Sequence, residues 1–176
     1  MANSPAVGDL APDFTLPGTS PAAGDQDFTL SAARGRPLVL AFYPGDETPV
    51  CTRQLCSYQT DLDVLSGLNA DLWGISSQDI ESHHKFQAHR GLTFPLLADT
   101  RNEVFKAYGL GSVLNRRAIF VLDSEGRIAW KHVSTTGLTF QKMDQIADVL
   151  RGLPEPTYPA ETTKPKAKGK PRTPRQ

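Results

Sequence analysis

The chain has 176 residues, enough for one domain with a substantial core. Lysine plus arginine equals aspartate plus glutamate at 19 each, which gives no reason to expect a nucleic-acid partner, and no apolar run approaches the roughly 20 residues of a membrane span. Met1-Ala2-Asn3-Ser4-Pro5 has neither the basic start nor the apolar core of an export signal, and with only two cysteines the expected compartment is a reducing one, by default the cytoplasm.

Residues 7 to 36 read as an opening β segment. Asp13-Phe14-Thr15-Leu16 and Asp27-Phe28-Thr29-Leu30 alternate polar and apolar residues on either side of a loop that begins Pro17-Gly18-Thr19-Ser20-Pro21, the pattern of a hairpin. Pro37-Leu38-Val39-Leu40-Ala41-Phe42-Tyr43 is a continuous apolar run rich in strand formers, as in a strand buried on both faces. Pro44-Gly45-Asp46 ends it. Thr48 suits a helix N-cap and Pro49 the first helical position, where a missing N–H costs nothing. Cys51, Leu55, Tyr58, Leu62 and Leu65 then recur at intervals of 4, 3, 4 and 3, one face of a helix.

Asp71-Leu72-Trp73-Gly74-Ile75-Ser76 reads as a second short strand. Asp79 to Arg90 reads as a polar helix capped by Ser77 or Asp79. Phe94 to Asp99 forms a short strand or extended segment, and Asn102 to Tyr108 a short helix that Gly109 terminates. Arg117–Asp123 and Gly126–Val133 are strands joined through Ser124-Glu125-Gly126, a hairpin signal. Residues 140–151, with Phe140, Ile146, Val149 and Leu150 apolar, form a closing helix.

Cys51 thus falls in the first turn of a helix that follows a buried strand. Unpaired N–H groups and the positive end of the helix dipole favour a thiolate there over a thiol, and the thiolate is the nucleophile. The bland alternative is a small buried hydrophobe. Along a helix, Cys51 and Cys56 have Cα atoms about 8.6 Å apart, beyond the roughly 7 Å a disulfide spans. They form a redox pair only if the first turns melt. The spacing suits neither a C-x-x-C site nor a zinc knuckle.

Phe42-Tyr43-Pro44-Gly45-Asp46-Glu47-Thr48-Pro49-Val50-Cys51-Thr52, followed by Cys56, resembles the peroxiredoxins of the bacterioferritin-comigratory-protein/PrxQ type. Gly8-Asp9-Leu10-Ala11-Pro12-Asp13-Phe14 also resembles the family's N-terminal opening, and the likeness runs over roughly residues 7 to 151. Departures are Gly45, Val50 and Gln54, where the family often carries Lys, Gly and Glu. The resemblance implies a thiol peroxidase on a thioredoxin-like α/β fold, a central mixed β-sheet flanked by helices with an N-terminal β-hairpin extension. It implies Cys51 as the peroxidatic and Cys56 as the resolving cysteine, and Pro44 and Thr48 as the Pro and Thr of the active-site loop. Arg117 opens R-A-I-F-V-L-D, similar to the family strand that carries the active-site arginine, and a fixed guanidinium stabilises charge developing on a peroxide. Arg116, one residue away, should face the other side. The implied substrates are hydrogen peroxide and alkyl hydroperoxides, the implied reductant thioredoxin or a similar dithiol protein, with no cofactor, no metal and a monomeric state.

His83, His84, His89 and His132 lack the carboxylate spacing of a metal site, and Trp73 and Trp130 read as core. From Pro154 to Gln176 six basic residues stand against two acidic ones. With six prolines and no large aliphatics, residues 154–176 read as a disordered basic tail after a domain of residues 1–153. A redox-sensing or holdase-type switch is a second reading of the cysteine pair. Nucleic-acid or membrane attachment through the tail is a third.

Overall fold

The computed structural model describes residues 3–111 and 114–154. Apart from Pro154, the segment read as a disordered tail lies outside them. Seven strands form one mixed sheet in the order β2-β1-β5-β4-β3-β6-β7. They are β1 Thr15–Ser20, β2 Gly24–Thr29, β3 Leu38–Phe42, β4 Asp71–Ser76, β5 Leu96–Ala98, β6 Ala118–Leu122 and β7 Ile128–Val133. The helices are α1 Pro49–Thr60, α2 Leu62–Gly67, α3 Ile80–Arg90, α4 Glu103–Ala107 and α5 Met143–Arg151, with a 3-10 turn at Leu30–Ala33. This is the flanked mixed sheet expected of a thioredoxin-like fold. No helix among the described residues is long and apolar enough to cross a membrane.

β3 is central and buried throughout, as its unbroken apolar run requires. Its period of two feeds both layers. Leu38, Leu40 and Phe42 join one core with Phe105 and Tyr108, whereas Val39, Ala41 and Tyr43 join the other with Leu55, Phe86 and Ile146. Helices α1, α3 and α5 therefore lie on the second face, α4 on the first. β3 runs parallel to β4 and antiparallel to β6, with Phe42 opposite Ala118.

Three boundaries differ from the sequence reading. The stretch 17–20, read as a loop, makes up the last four residues of β1. It pairs with β2 on one side and, through Gly18 and Thr19, with β5 on the other, so the hairpin is built into the sheet. Gly18 permits this because a Cβ there would sit 2.6 Å from the Phe28 ring. The helix read as continuous through Leu65 breaks at Asp61, whose φ of −100° and ψ of 15° start a second helix, α2. The closing helix begins at Met143, and Phe140 instead packs edge-on against Tyr58 from the preceding loop.

Candidate active site

The chain leaves β3 at Tyr43, turns through residues 44–48, and enters α1 with Thr48 at the N-cap and Pro49 at the first helical position. Cys51 is two residues further on, in the first turn, and is buried. Both cysteines are free thiols, and Cys56 lies on the same helix, partly exposed. Because α1 is intact from Pro49 to Thr60, their Cα atoms stand about 8.6 Å apart, too far for a bond.

The antiparallel register explains where Arg117 lies. Ala118 sits opposite Phe42, so Arg117 stands beside the point where the chain leaves β3. Ile119 and Val121 face the α1 layer, and Arg117 shares their parity. Arg117 is buried and Arg116 exposed, as the alternation predicted. The guanidinium makes three directed contacts. Nη2 donates to Cys51 Sγ at 3.2 Å, Nη1 donates to Gln54 Oε1, and Nε donates to Gly137 O at 3.1 Å. No carboxylate among the described residues forms an ion pair with it. A buried cation held by a neutral amide and a carbonyl leaves the Cys51 sulfur as the one contact able to carry the opposite charge.

The Thr48 hydroxyl donates to Gly45 O at 3.1 Å, closing the loop on itself, and does not cap α1 with its side chain. Pro44 is exposed at the start of the loop. Among the candidates, the structure brings Cys51 and Arg117 into contact. Cys56 is held apart by the helix, and Pro44 and Thr48 shape the loop that leads into it.

Two further groups of residues lie near the site, the first at a position already noted as a departure from the family pattern and the second not anticipated from the sequence. One is Gln54, fully buried, whose Nε2 lies 3.2 Å from Tyr58 Oη, while that hydroxyl donates to Gln141 O at 2.7 Å. Helical spacing held the signal, because Gln54 and Tyr58 lie three and seven residues after Cys51, on its side of α1. The other fixes the 44–48 loop to α3. Asp46 accepts from Tyr43 Oη at 2.6 Å, Ser82 Oγ at 2.8 Å and His83 Nδ1 at 2.7 Å, and its backbone N–H donates to Gln78 Oε1. His83 Nε2 donates to Leu97 O at 3.1 Å, so both ring nitrogens are engaged. Burial, reinforced by the Asp46 charge, raises the Tyr43 hydroxyl well above its ordinary range, so it stays a neutral donor. On the outer side, Arg90 and His89 bind Glu47, and the Arg90 contact holds its carboxyl below the usual range.

His83→Leu is therefore expected to lower stability by about 1–3 kcal/mol in chemical denaturation, because the buried Asp46 carboxyl would lose one of its three side-chain hydrogen-bond partners. A smaller loss in the Asp46→Asn/His83→Leu pair is the accompanying expectation. No group of three or more His, Cys, Asp or Glu side chains among the described residues could hold a metal ion.

A thiol and a buried guanidinium, meeting at a helix N-terminus beside an interior strand of a thioredoxin-like sheet, define a cysteine-centred site. The family model described as AhpC/TSA matches residues 7–131, and the chain belongs to that family. It is 38% identical over 151 residues to the chloroplastic peroxiredoxin Q of Oryza sativa subsp. japonica, covering 82% of this chain and 64% of the rice protein. The chain thus spans less than two thirds of that relative's length. Among solved structures, peroxidoxin BcpB of Mycobacterium tuberculosis superposes with a TM-score of 0.72 at 27% identity, covering 84% of this chain and 97% of that one. Xanthomonas campestris peroxiredoxin Q gives a TM-score of 0.66 at 28% identity, covering 77% and 89%.

Proposed function

We propose that the protein is a thiol peroxidase that reduces hydrogen peroxide and alkyl hydroperoxides with Cys51. The observation that carries the reading is the Arg117 Nη2 contact to Cys51 Sγ at 3.2 Å in a buried site where no carboxylate among the described residues competes for the guanidinium. A cation so placed favours the thiolate, which is the attacking species. It also donates hydrogen bonds where negative charge develops as the O–O bond breaks.

The thiolate attacks one peroxide oxygen, the O–O bond cleaves, and the departing hydroxide or alkoxide takes a proton to leave as water or an alcohol. Cys51 becomes a sulfenic acid. The first turns of α1 then unwind, and the Cys56 sulfur displaces the sulfenic oxygen as water to form a Cys51–Cys56 disulfide. An external dithiol, thioredoxin or a similar protein, restores both thiols by exchange. Thr48 and Pro44 are assigned to the shape of the loop that presents Cys51. An internal disulfide asks for no second subunit, so the protein is read as a monomer working in a reducing compartment such as the cytoplasm. The reaction as written calls on no metal or organic cofactor.

The test is hydrogen peroxide consumption coupled to thioredoxin and its reductase. Wild type is expected to turn over continuously. Cys56→Ser is expected to consume about one equivalent and stop, because a sulfenic acid with no resolving partner cannot accept electrons by the same route. Continuous turnover in Cys56→Ser at the wild-type rate would remove the internal disulfide from the mechanism.

A further inference from the structure

The hydrogen bonds that hold Arg117 form a chain with a direction. Tyr58 Oη donates to Gln141 O at 2.7 Å. Burial pushes the Tyr58 hydroxyl up to about 12, so it keeps its one proton and commits it to that carbonyl. Only lone pairs remain for Gln54, so the 3.2 Å contact is Gln54 Nε2–H donating to Tyr58. The other end of the same amide must then be oxygen, and Arg117 Nη1 donates to it. Rotating the amide by half a turn would set its N–H groups against the guanidinium and its oxygen against the Tyr58 oxygen. Both contacts would be lost in a buried place, at a cost of about 1–3 kcal/mol for each unpaired group.

We propose that Tyr58 is a positioning residue for Cys51. Its hydroxyl, anchored on Gln141 O, fixes the Gln54 amide so that the amide oxygen holds Arg117 against the sulfur. Gln54 does this as a neutral group, so it orients the guanidinium without cancelling its charge. The loop of residues 134–142 grips Arg117 from two sides, directly through Gly137 O and indirectly through Gln141 and Tyr58. Among the described residues, the ionisable groups found to interact with Cys51 are Arg117, ahead of β6, and Tyr43, just after β3. Tyr43 is held neutral, which leaves Arg117 as the charge to be positioned.

The proposal rests on Cys51 being the nucleophile, and its test reads the sulfur without peroxide turnover. Tyr58→Phe keeps the ring edge-on to Phe140, at a centroid distance of 6.2 Å, and removes only the oxygen. In a Cys56→Ser background, the ultraviolet absorbance of the thiolate is followed against pH, and single oxidation by hydrogen peroxide is timed. Tyr58→Phe is expected to raise the titration midpoint by about one pH unit and to slow oxidation about tenfold. With Gln54→Glu the carboxylate oxygens are equivalent and there is no orientation to fix. Adding Tyr58→Phe there is expected to change neither reading by more than about twofold.

An unmoved midpoint in Tyr58→Phe would overturn the proposal, as would the same shift in both backgrounds, which would mean that the hydroxyl acts through packing. Should Tyr58→Phe fail to fold, Gln54→Leu deletes the acceptor itself and is expected to raise the midpoint in the same way. An unmoved midpoint there would also overturn the proposal. A shifted titration in a protein that consumes no peroxide would instead sink the peroxidase reading and leave the positioning role standing.

Discussion

Cys51→Ser is expected to abolish peroxide consumption, in single turnover and in the thioredoxin-coupled assay alike. A serine hydroxyl in the same turn of α1 gives Arg117 a hydrogen-bond acceptor, but it is a weak nucleophile without a base to take its proton. Neither ionisable neighbour among the described residues serves as that base: Arg117 donates only, and the Tyr43 hydroxyl is committed to Asp46. The fold should be unaffected, because serine is close in volume to cysteine. Residual consumption above about one per cent of wild type, in protein with an unchanged thermal melt, would move the chemistry to another residue.

Arg117→Met carries the second-largest effect. Methionine fills the guanidinium's channel with a flexible apolar chain of similar length. It removes the charge beside the sulfur and the donors aimed at the developing oxyanion. Loss of one such donor typically costs about 10²–10³ in rate, and here the same group also favours the thiolate, so peroxide oxidation of Cys51 is expected to slow by at least that range. Stability should change far less. The buried charge and its desolvation cost go together, while Gln54 Oε1 and Gly137 O lose a donor at about 1–3 kcal/mol. Arg117→Lys keeps the charge but not the fork that reaches three acceptors at once, and an intermediate rate is expected. Stopped-flow oxidation of the three proteins at matched peroxide decides the order. A rate for Arg117→Met within threefold of wild type would show that the guanidinium is structural.

Much of this was legible from short-range pattern. The apolar run 37–43 has no polar face to show to water, so it had to be a central strand. Proline at position 49 and a helical stripe beginning at Cys51 then placed that thiol in a first turn. The alternation of β6 separated Arg117 from Arg116 without any knowledge of the sheet. What pattern could not reach was long-range pairing. Asp46 meets His83 across 37 positions, and nothing local to either residue announces the other. Pro17 and Gly18 carry turn chemistry, yet pairing with β2 and β5 overrides it and draws them into a strand. Tyr58 was read correctly as a member of the buried stripe, but a stripe counts only the ring. Its hydroxyl is the polar link to Gln54 and Gln141, and a helical-face reading that treats tyrosine as apolar loses that link.

The position of Cys56 makes the conformational demand explicit. In the structure α1 is unbroken and the two thiols are free, the state that would meet peroxide. The proposed disulfide state would have to differ, because a helix cannot bring residues five apart within bonding distance. Gln54 lies between the two cysteines, so unwinding that far also withdraws the amide from Arg117.

The most direct test of the central claim treats the reduced protein with one equivalent of hydrogen peroxide, quenches it with a thiol-blocking reagent, and maps the peptides by mass. The predicted result is a single chain in which Cys51 and Cys56 are joined. In Cys56→Ser, Cys51 alone should add one oxygen and be trapped by a sulfenic-acid-specific reagent. Recovery of both cysteines as blocked free thiols after the peroxide has been consumed would contradict the account, and so would oxidation that appears first at Cys56.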